Sequence, residues 1–238
     1  MDDSFFFNDF VKSTLSIVLR QLVTKDTKNN QPILFATEEA SFNSAVAYAA
    51  YQYSHANAKG PFHVASEAVI ERHGRAGRSD LIWLHDDSFL YIELKGLTYG
   101  YDSIQGDIRR VASAFSTAKR QVESTDIDSS VPWYLAKKGS GEPFSVQHYK
   151  VALIPHFIQR DVQDARKFAD LDAIMSAFQR EMKKHESTSR VNIHKFDLPD
   201  DAVAAYNYDR KNGVYSKQVS VSECILYWIV QPAGSNPE

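Results

Sequence analysis

The stretch Gly77–Gly96, GRSDLIWLHDDSFLYIELKG, holds the residues whose types and spacing are best suited to chemistry. Side chains on a strand alternate between its faces, so in SFLYIELKG Tyr91, Glu93 and Lys95 share one face and Ile92 and Leu94 the other. Ile92 and Leu94 read as core. Glu93 and Lys95 then stand side by side at the end of a rigid strand. Asp80 opens the preceding strand candidate, LIWL, from which Leu81 and Trp83 alternate away, and a hairpin between the two strands brings Asp80 next to Glu93. Two converging carboxylates raise each other's pKa, and a divalent cation relieves that cost. Magnesium takes a few carboxylate oxygens, keeps several waters and prefers octahedral geometry. A lysine ammonium near the metal-bound water and a scissile phosphate stabilises developing negative charge or positions the nucleophile. Two acids and one lysine are thus a compact kit for hydrolysing a phosphodiester. The plain alternative is a solvated strand face with an ordinary salt bridge.

Asp80 followed, after a short hairpin, by Glu93-Leu94-Lys95 resembles the PD-(D/E)XK nuclease superfamily, the restriction-endonuclease-like fold. That pattern is an acid at the start of one strand, a short gap, then acid-x-lysine in the next. Here the acids are 93 − 80 = 13 positions apart, and Ser79 stands where the pattern has proline. The resemblance covers roughly Thr37 to Phe157. It implies an α/β fold with a mixed central β-sheet flanked by α-helices, and a Mg2+ (or Mn2+) cofactor. Asp80, Glu93 and the carbonyl of Leu94 would be the metal ligands, and Lys95 a catalytic group. It also implies a catalytic glutamate on the helix before the three strands. Glu39 is the first choice, with Phe42 and Val46 at +3 and +7 orienting it toward the sheet, and Glu38 is its neighbour. Glu67, on the first strand, is another possible metal-side acid. The activity implied is metal-dependent hydrolysis of DNA, in restriction, defence against foreign DNA or repair. The alternative is a catalytically silent nucleic-acid-binding or assembly subunit of the same fold; an RNA-cleaving enzyme is a third reading.

These residues need elements to hold them. Phe7, Phe10, Val11, Thr14, Leu15, Val18 and Leu22 recur at helical spacing and predict an amphipathic N-terminal helix. Lys25–Pro32 is a polar, turn-rich connector. A second helix starts near Thr37 or Glu38, with Phe42, Val46, Ala49 and Tyr53 as its core stripe. Three strands follow, PFHVASEAVIERHG, GRSDLIWLHDD and SFLYIELKG, separated by short turns and so arranged most simply as an antiparallel meander. A helix over Ser103–Glu123 comes next, with Ile104, Ile108, Val111, Ala112, Phe115 and Ala118 inward. Its Gln105, Arg109 and Arg110, with Lys119 and Arg120 later, suit phosphate contacts; the plain alternative is a solvated helix face. Lys137 and Lys138 beside Gly139 and Gly141 suit a basic loop over nucleic acid. HYKVALIPHF reads as a buried strand ended by Pro155, Arg160–His185 as a long helix, and RVNIHKFDLP and SVSECILYWIVQP as late strands. With no internal repeat and no strong linker, the expectation is a single domain over 1–238. Residues 1–36 form the N-terminal helix and connector, 37–157 the motif-bearing core, and 158–238 the C-terminal helix and strands.

Composition narrows the classes. The chain has 238 residues and a net charge of −3 from 27 basic and 30 acidic residues, which does not suit a dedicated DNA coater. Contact with DNA then depends on local basic patches, or on a homo-oligomer or partner subunit that completes the binding groove. The single cysteine, Cys224, rules out an intrachain disulfide and cysteine-rich metal sites and points to a reducing, cytoplasmic location. Asp2 and Asp3 stand where a signal peptide wants positive charge, and Asp9, Lys12 and Arg20 interrupt the apolar N-terminus, so no membrane association is expected. The eight histidines show no HExxH spacing, no serine-histidine or cysteine-histidine motif is present, and GSGEP lacks the ending of a nucleotide loop.

Overall fold

In a computed structural model of the chain, the residues described are 6–22, 25–26, 31–32, 39–95, 104–126, 147–160, 176, 192–198, 203–209 and 214–232. The architecture is α/β: an eight-stranded mixed sheet with helices on both faces. The N-terminal segment comprises α1 (Phe6–Asp9), a π-helical stretch (Phe10–Leu15) and α2 (Ser16–Leu22). The single regular helix expected there is thus interrupted. Ser13 and Ser16 donate to the carbonyls of Asp9 and Lys12, four residues back, and such side-chain bonds compete with the backbone ladder. Phe7, Phe10, Val11, Leu15 and Val18 are buried as the spacing predicts. Within the polar connector, β1 (Lys25–Asp26) pairs antiparallel with β2 (Gln31–Pro32). Helix α3 (Glu39–Asn57) buries Phe42, Val46, Ala49 and Tyr53, the expected stripe. Thr37 and Glu38 lie outside the described residues.

The meander is present. Strands β3 (Phe62–Arg72), β4 (Arg75–His85) and β5 (Ser88–Leu94) pair antiparallel in sequence order. The β3–β4 turn places His73 and Gly74 at φ 49° and 71°, the two positive-φ positions that a tight hairpin turn requires. Asp86, at the β4–β5 turn, accepts from the Lys59 and Gly60 amides at 2.9 and 2.6 Å, tying the α3–β3 loop to that turn. Helix α4 (Ile104–Glu123) then carries the chain across to β6 (Thr125–Asp126) and β7 (Gln147–Arg160). Strand β7 lies parallel to β5, from Ser88↔Gln147 to Leu94↔Leu153, the one parallel pairing among the described residues. Strands β8 (Asn192–Asp197), β9 (Val203–Asp209) and β10 (Val214–Pro232) complete it, in the order β6-β3-β4-β5-β7-β10-β8 with β9 on β10.

Several boundaries differ from the sequence reading. Strand β7 does not end at Pro155 but runs to Arg160, so the long helix cannot begin at Arg160. Pro155 is tolerated because Leu153 points its carbonyl toward β5, accepting from the Lys95 amide. By alternation Pro155 points its missing N–H the same way, past the last residue of β5. Of the expected helix over 160–185, only Ser176 is described beyond the strand, and it is helical and exposed. Strand β10 begins six residues before Ser220, and its early part pairs with β9, which the sequence reading lacked.

Both sheet faces are covered. One carries Leu81, Trp83, Leu90, Ile92, Leu94 and Leu153 against α1–α3. The other packs Ala152, Ile154, Tyr227 and Ile229 against Ala118 and Val122 of α4, with Ile82, Leu84, Phe89 and Tyr91 alongside. Every residue of β5 is buried, which explains the near-continuous apolar run of the strand. No helix among the described residues is long and apolar enough to cross a membrane. This layering predicts that Ile92→Ala, emptying a sealed position, costs about 2–5 kcal/mol. Val69→Ala, at a β3 position 76% exposed, should change stability by no more than about 0.5 kcal/mol. Urea denaturation of both variants checks the contrast, and equal losses would contradict it.

Candidate active site

The register of the meander sets the site. Leu81 pairs with Ile92, so one step further along the antiparallel ladder Asp80 stands opposite Glu93. The link is direct: the Leu94 amide donates to Asp80 Oδ2 at 2.7 Å. Asp80 is not at the start of its strand, as the sequence reading had it. It is the sixth residue of β4, at the point where pairing with β5 begins, because β4 runs on past β5 to form the hairpin with β3. Ser79, where the resembling family has proline, is buried and donates to the Leu81 carbonyl at 3.0 Å and the Ile92 carbonyl at 3.4 Å, fastening β4 to β5 beside the acids.

Alternation on β5 holds as expected. Ile92 and Leu94 pack toward α1–α3, while Glu93, level with Ala152 of β7, faces the side that α4 covers. Glu93 is 2% exposed. Its carboxyl is pushed up from its ordinary value near 4.5 to about 8, first by burial and then by the charge of Asp80; Arg72 and Lys95 pull the other way without prevailing. Those causes place Asp80, Glu93, Lys95 and Arg72 in one electrostatic cluster. Lys95, half-buried just past the end of β5, is fixed through its backbone by donation to the Leu153 carbonyl at 3.2 Å.

Arg72 is the member that sequence reasoning missed. From the end of β3 its guanidinium crosses β4, donates to the Arg78 carbonyl at 2.6 Å and forms an ion pair with Glu93. Gly77 makes this crossing possible: a Cβ there would sit 3.0 Å from Arg72 Cδ and 3.2 Å from Cγ. An isolated glycine inside a strand pattern signals such a close approach, and that was the clue in the sequence. Arg72 Nε is buried and has no hydrogen-bond partner among the described residues.

Of the additional acids, Glu67 does not converge with these groups. Glu67 is level with Asp80 in the β3–β4 register, but it takes φ 53° and drops out of the ladder between Ser66↔Leu81 and Ala68↔Ser79. Its carboxylate instead meets Asn43 of α3 at 3.5 Å and Arg78 at 3.9 Å. The buried stripe of α3 packs with Ile92 and Leu94, on the sheet face opposite Glu93, so the helix bearing Glu39 lies across the sheet from that carboxylate. The side chain of Glu39 and all of Glu38 fall outside the described residues. So do the side chains of Gln105, Arg109 and Arg110; their helix, α4, is on the Glu93 face. Lys137 and Lys138 lie outside the described residues as well.

The donor set suits a small hard cation. Asp80 and Glu93 offer carboxylate oxygens from adjacent strands. Leu94 directs its amide, and therefore its carbonyl, toward the β4 edge where Asp80 stands. Magnesium needs only one or two carboxylates besides water, so the absence among the described residues of a third His, Cys, Asp or Glu in the group is compatible with it. The guanidinium on Glu93 shows that positive charge is accommodated there. A second grouping, Ser54–His85–Asp86, has the residue types of a nucleophilic triad, with Ser54 Oγ 2.9 Å from His85 Nδ1 and His85 Nε2 4.0 Å from Asp86. Ser54 is entirely buried, takes the Trp83 indole N–H at 2.8 Å, and has no access to a substrate; burial holds His85 below its usual pKa. That network joins α3 to β4 and is structural.

No family of known proteins, no curated protein and no solved structure matches the chain.

The buried acid has a pH signature. Between about pH 4.5 and pH 8 the folded chain keeps a proton on Glu93 that the unfolded chain has released, so this group lowers stability as pH rises through that window. The loss relative to Glu93→Gln should approach about 1.4 kcal/mol per pH unit there. Urea denaturation of both proteins from pH 5 to 8 tests this, and parallel profiles would refute the assignment.

Proposed function

We propose that the chain is a metal-dependent nuclease of the restriction-endonuclease-like kind, hydrolysing phosphodiester bonds of DNA with Asp80, Glu93 and Lys95 as its active residues. One observation carries the reading: Glu93 is sealed in the sheet beside a second carboxylate, and burial and the charge of Asp80 push its carboxyl up to about 8 even with the Arg72 guanidinium against it. Perturbed acids clustered with cations mark functional sites.

Asp80 and Glu93 would hold the ion, with the Leu94 carbonyl on the same edge. Bound there, magnesium supplies Lewis acidity and lowers the pKa of water. Lys95, next to Glu93 and clamped through its backbone to β7, would set an ammonium against the charge that develops on the phosphate. The sheet around Glu93 shields it from solvent and raises the strength of its charge interactions. The meander, the parallel β5–β7 crossover through α4 and the coverage of both faces support a restriction-endonuclease-like arrangement. Roles in restriction, anti-phage defence or repair, and an oligomer or partner subunit completing the groove, follow by analogy with that fold.

One observation favours a second reading, a catalytically silent nucleic-acid-binding subunit. Arg72 already supplies Glu93 with a cation. A permanent ion pair would make metal unnecessary.

A plasmid cleavage assay with Mg2+, with Mn2+ and with chelator separates the two. The nuclease reading predicts metal-dependent cutting that falls about 100-fold or more in Asp80→Ala and in Lys95→Ala. Equal cutting by the variants would overturn the site, and no cutting of plasmid or RNA under any condition would leave the binding subunit.

A further inference from the structure

We infer that the β3–β4 hairpin tip, Arg72–Arg78, is the element that grips the phosphate backbone of nucleic acid and feeds it to the Asp80–Glu93 site. The inference rests on the phosphodiesterase reading for the identity of the anion, but it stands on its own observations.

The segment reads RHGRAGR, with three arginines, one histidine and no acid, in a chain whose net charge is −3. Positive charge in an acidic protein acts locally, and here three guanidinium groups lie within seven residues of one hairpin, between Glu71 and Asp80. His73, Arg75 and Arg78 are exposed, Arg78 to 72%. Arg75 forms no ion pair among the described residues, and Arg78 has only a 3.9 Å approach to the half-exposed Glu67. Neither guanidinium is spent on holding the fold. The intervening residues are glycine and alanine, which leave nothing bulky to keep a polyanion at a distance.

The tip is also rigid. Its turn is a two-residue hairpin closed by the Arg72↔Arg75 pair. On one edge, β6 pairs with Glu71 and Arg72. On the other, the Arg72 side chain staples it to the floor of the site by crossing Gly77 to reach Glu93. A preorganised cationic surface loses little freedom when it binds.

The hairpin leads straight into the site. Arg78 is two residues from Asp80 on the same strand and Arg75 is five, which at about 3.4 Å per residue puts Arg75 about 17 Å from Asp80. That is the length of about five base-pair steps. Phosphates held by Arg75 and Arg78 therefore belong to the same stretch of chain as the phosphate presented to Asp80 and Glu93. Alternation along β4 turns these two arginines to opposite faces, so only one of them shares the face of Asp80 and Glu93, and a chain passing around the hairpin tip would bring separate phosphates to the two.

The test is fluorescence anisotropy with a labelled DNA duplex of about 20 base pairs and its single strand, in chelator so that no metal or cleavage enters. The full chain is compared with Arg75→Ala/Arg78→Ala and with Arg75→Lys/Arg78→Lys. The inference predicts binding whose salt dependence loses about two counterions in the alanine pair, with affinity down tenfold or more at moderate salt, while the lysine pair keeps the slope. The thermal melting of both variants should match wild type, since neither residue holds the fold. An alanine pair that binds like wild type, or a wild type that binds neither form of DNA, overturns the inference. A protein that binds through the hairpin but never cleaves overturns the nuclease reading alone, and one that cleaves without needing the hairpin overturns only the inference.

Discussion

Burying a carboxylate costs free energy that the rest of the domain must offset, and Glu93 sets that cost for this fold. It sits in a strand sealed on both faces, with β4 and β7 on its flanks and a second acid opposite it. Burial and Asp80 both disfavour its charge, and Arg72 and Lys95 restore part of it. The apolar residues around it, each contributing roughly 1.5–3 kcal/mol when fully buried, keep the group where water would otherwise relieve it. Ser79 fastens β4 to β5 through the Ile92 carbonyl, the Leu94 amide holds Asp80, and the Leu153 carbonyl holds the backbone of Lys95.

The topology serves the same end. A meander alone would leave β5 at an edge, with one flank open to solvent. The α4 crossover returns the chain to lay β7 parallel against that flank, and β10 pairs on beyond it. Glu93 and Lys95 thus emerge from the centre of a wide sheet. The same arrangement lets β3 and β4 extend past β5, so the hairpin carrying Arg72 begins where the pairing of Asp80 with Glu93 is set. Scaffold rigidity and site geometry have one origin here.

Much of this was legible in the sequence, and the limits have physical causes. The period of two on SFLYIELKG placed Ile92 and Leu94 on one face and Glu93 and Lys95 on the other, because a strand leaves side chains no other choice. The N-terminal and α3 stripes were legible for the corresponding reason at helical spacing. Pro155 was misread as a strand end: whether a missing N–H matters depends on which neighbour it faces, and that is a tertiary fact. Glu67 was read as a candidate acid because identity and strand placement show no φ; its left-handed backbone turns the carboxylate toward Asn43 instead. Arg72 escaped notice because its role depends on a space left by Gly77 on the neighbouring strand. Strand β9 lay in VAAYNYD, where alternation is weak and pairing to the early part of β10 supplies what local pattern does not.

The central claim is that Asp80 and Glu93 form one cation site in which burial and Asp80 hold the Glu93 carboxyl near 8. Calorimetric titration of the protein with Mn2+ at pH 7, in buffers of different ionisation enthalpy, counts the protons released per ion bound. With the Glu93 carboxyl near 8, the account predicts release of close to one proton, about 0.9, and none from Glu93→Gln. Binding without proton release, or release that persists in Glu93→Gln, would contradict it.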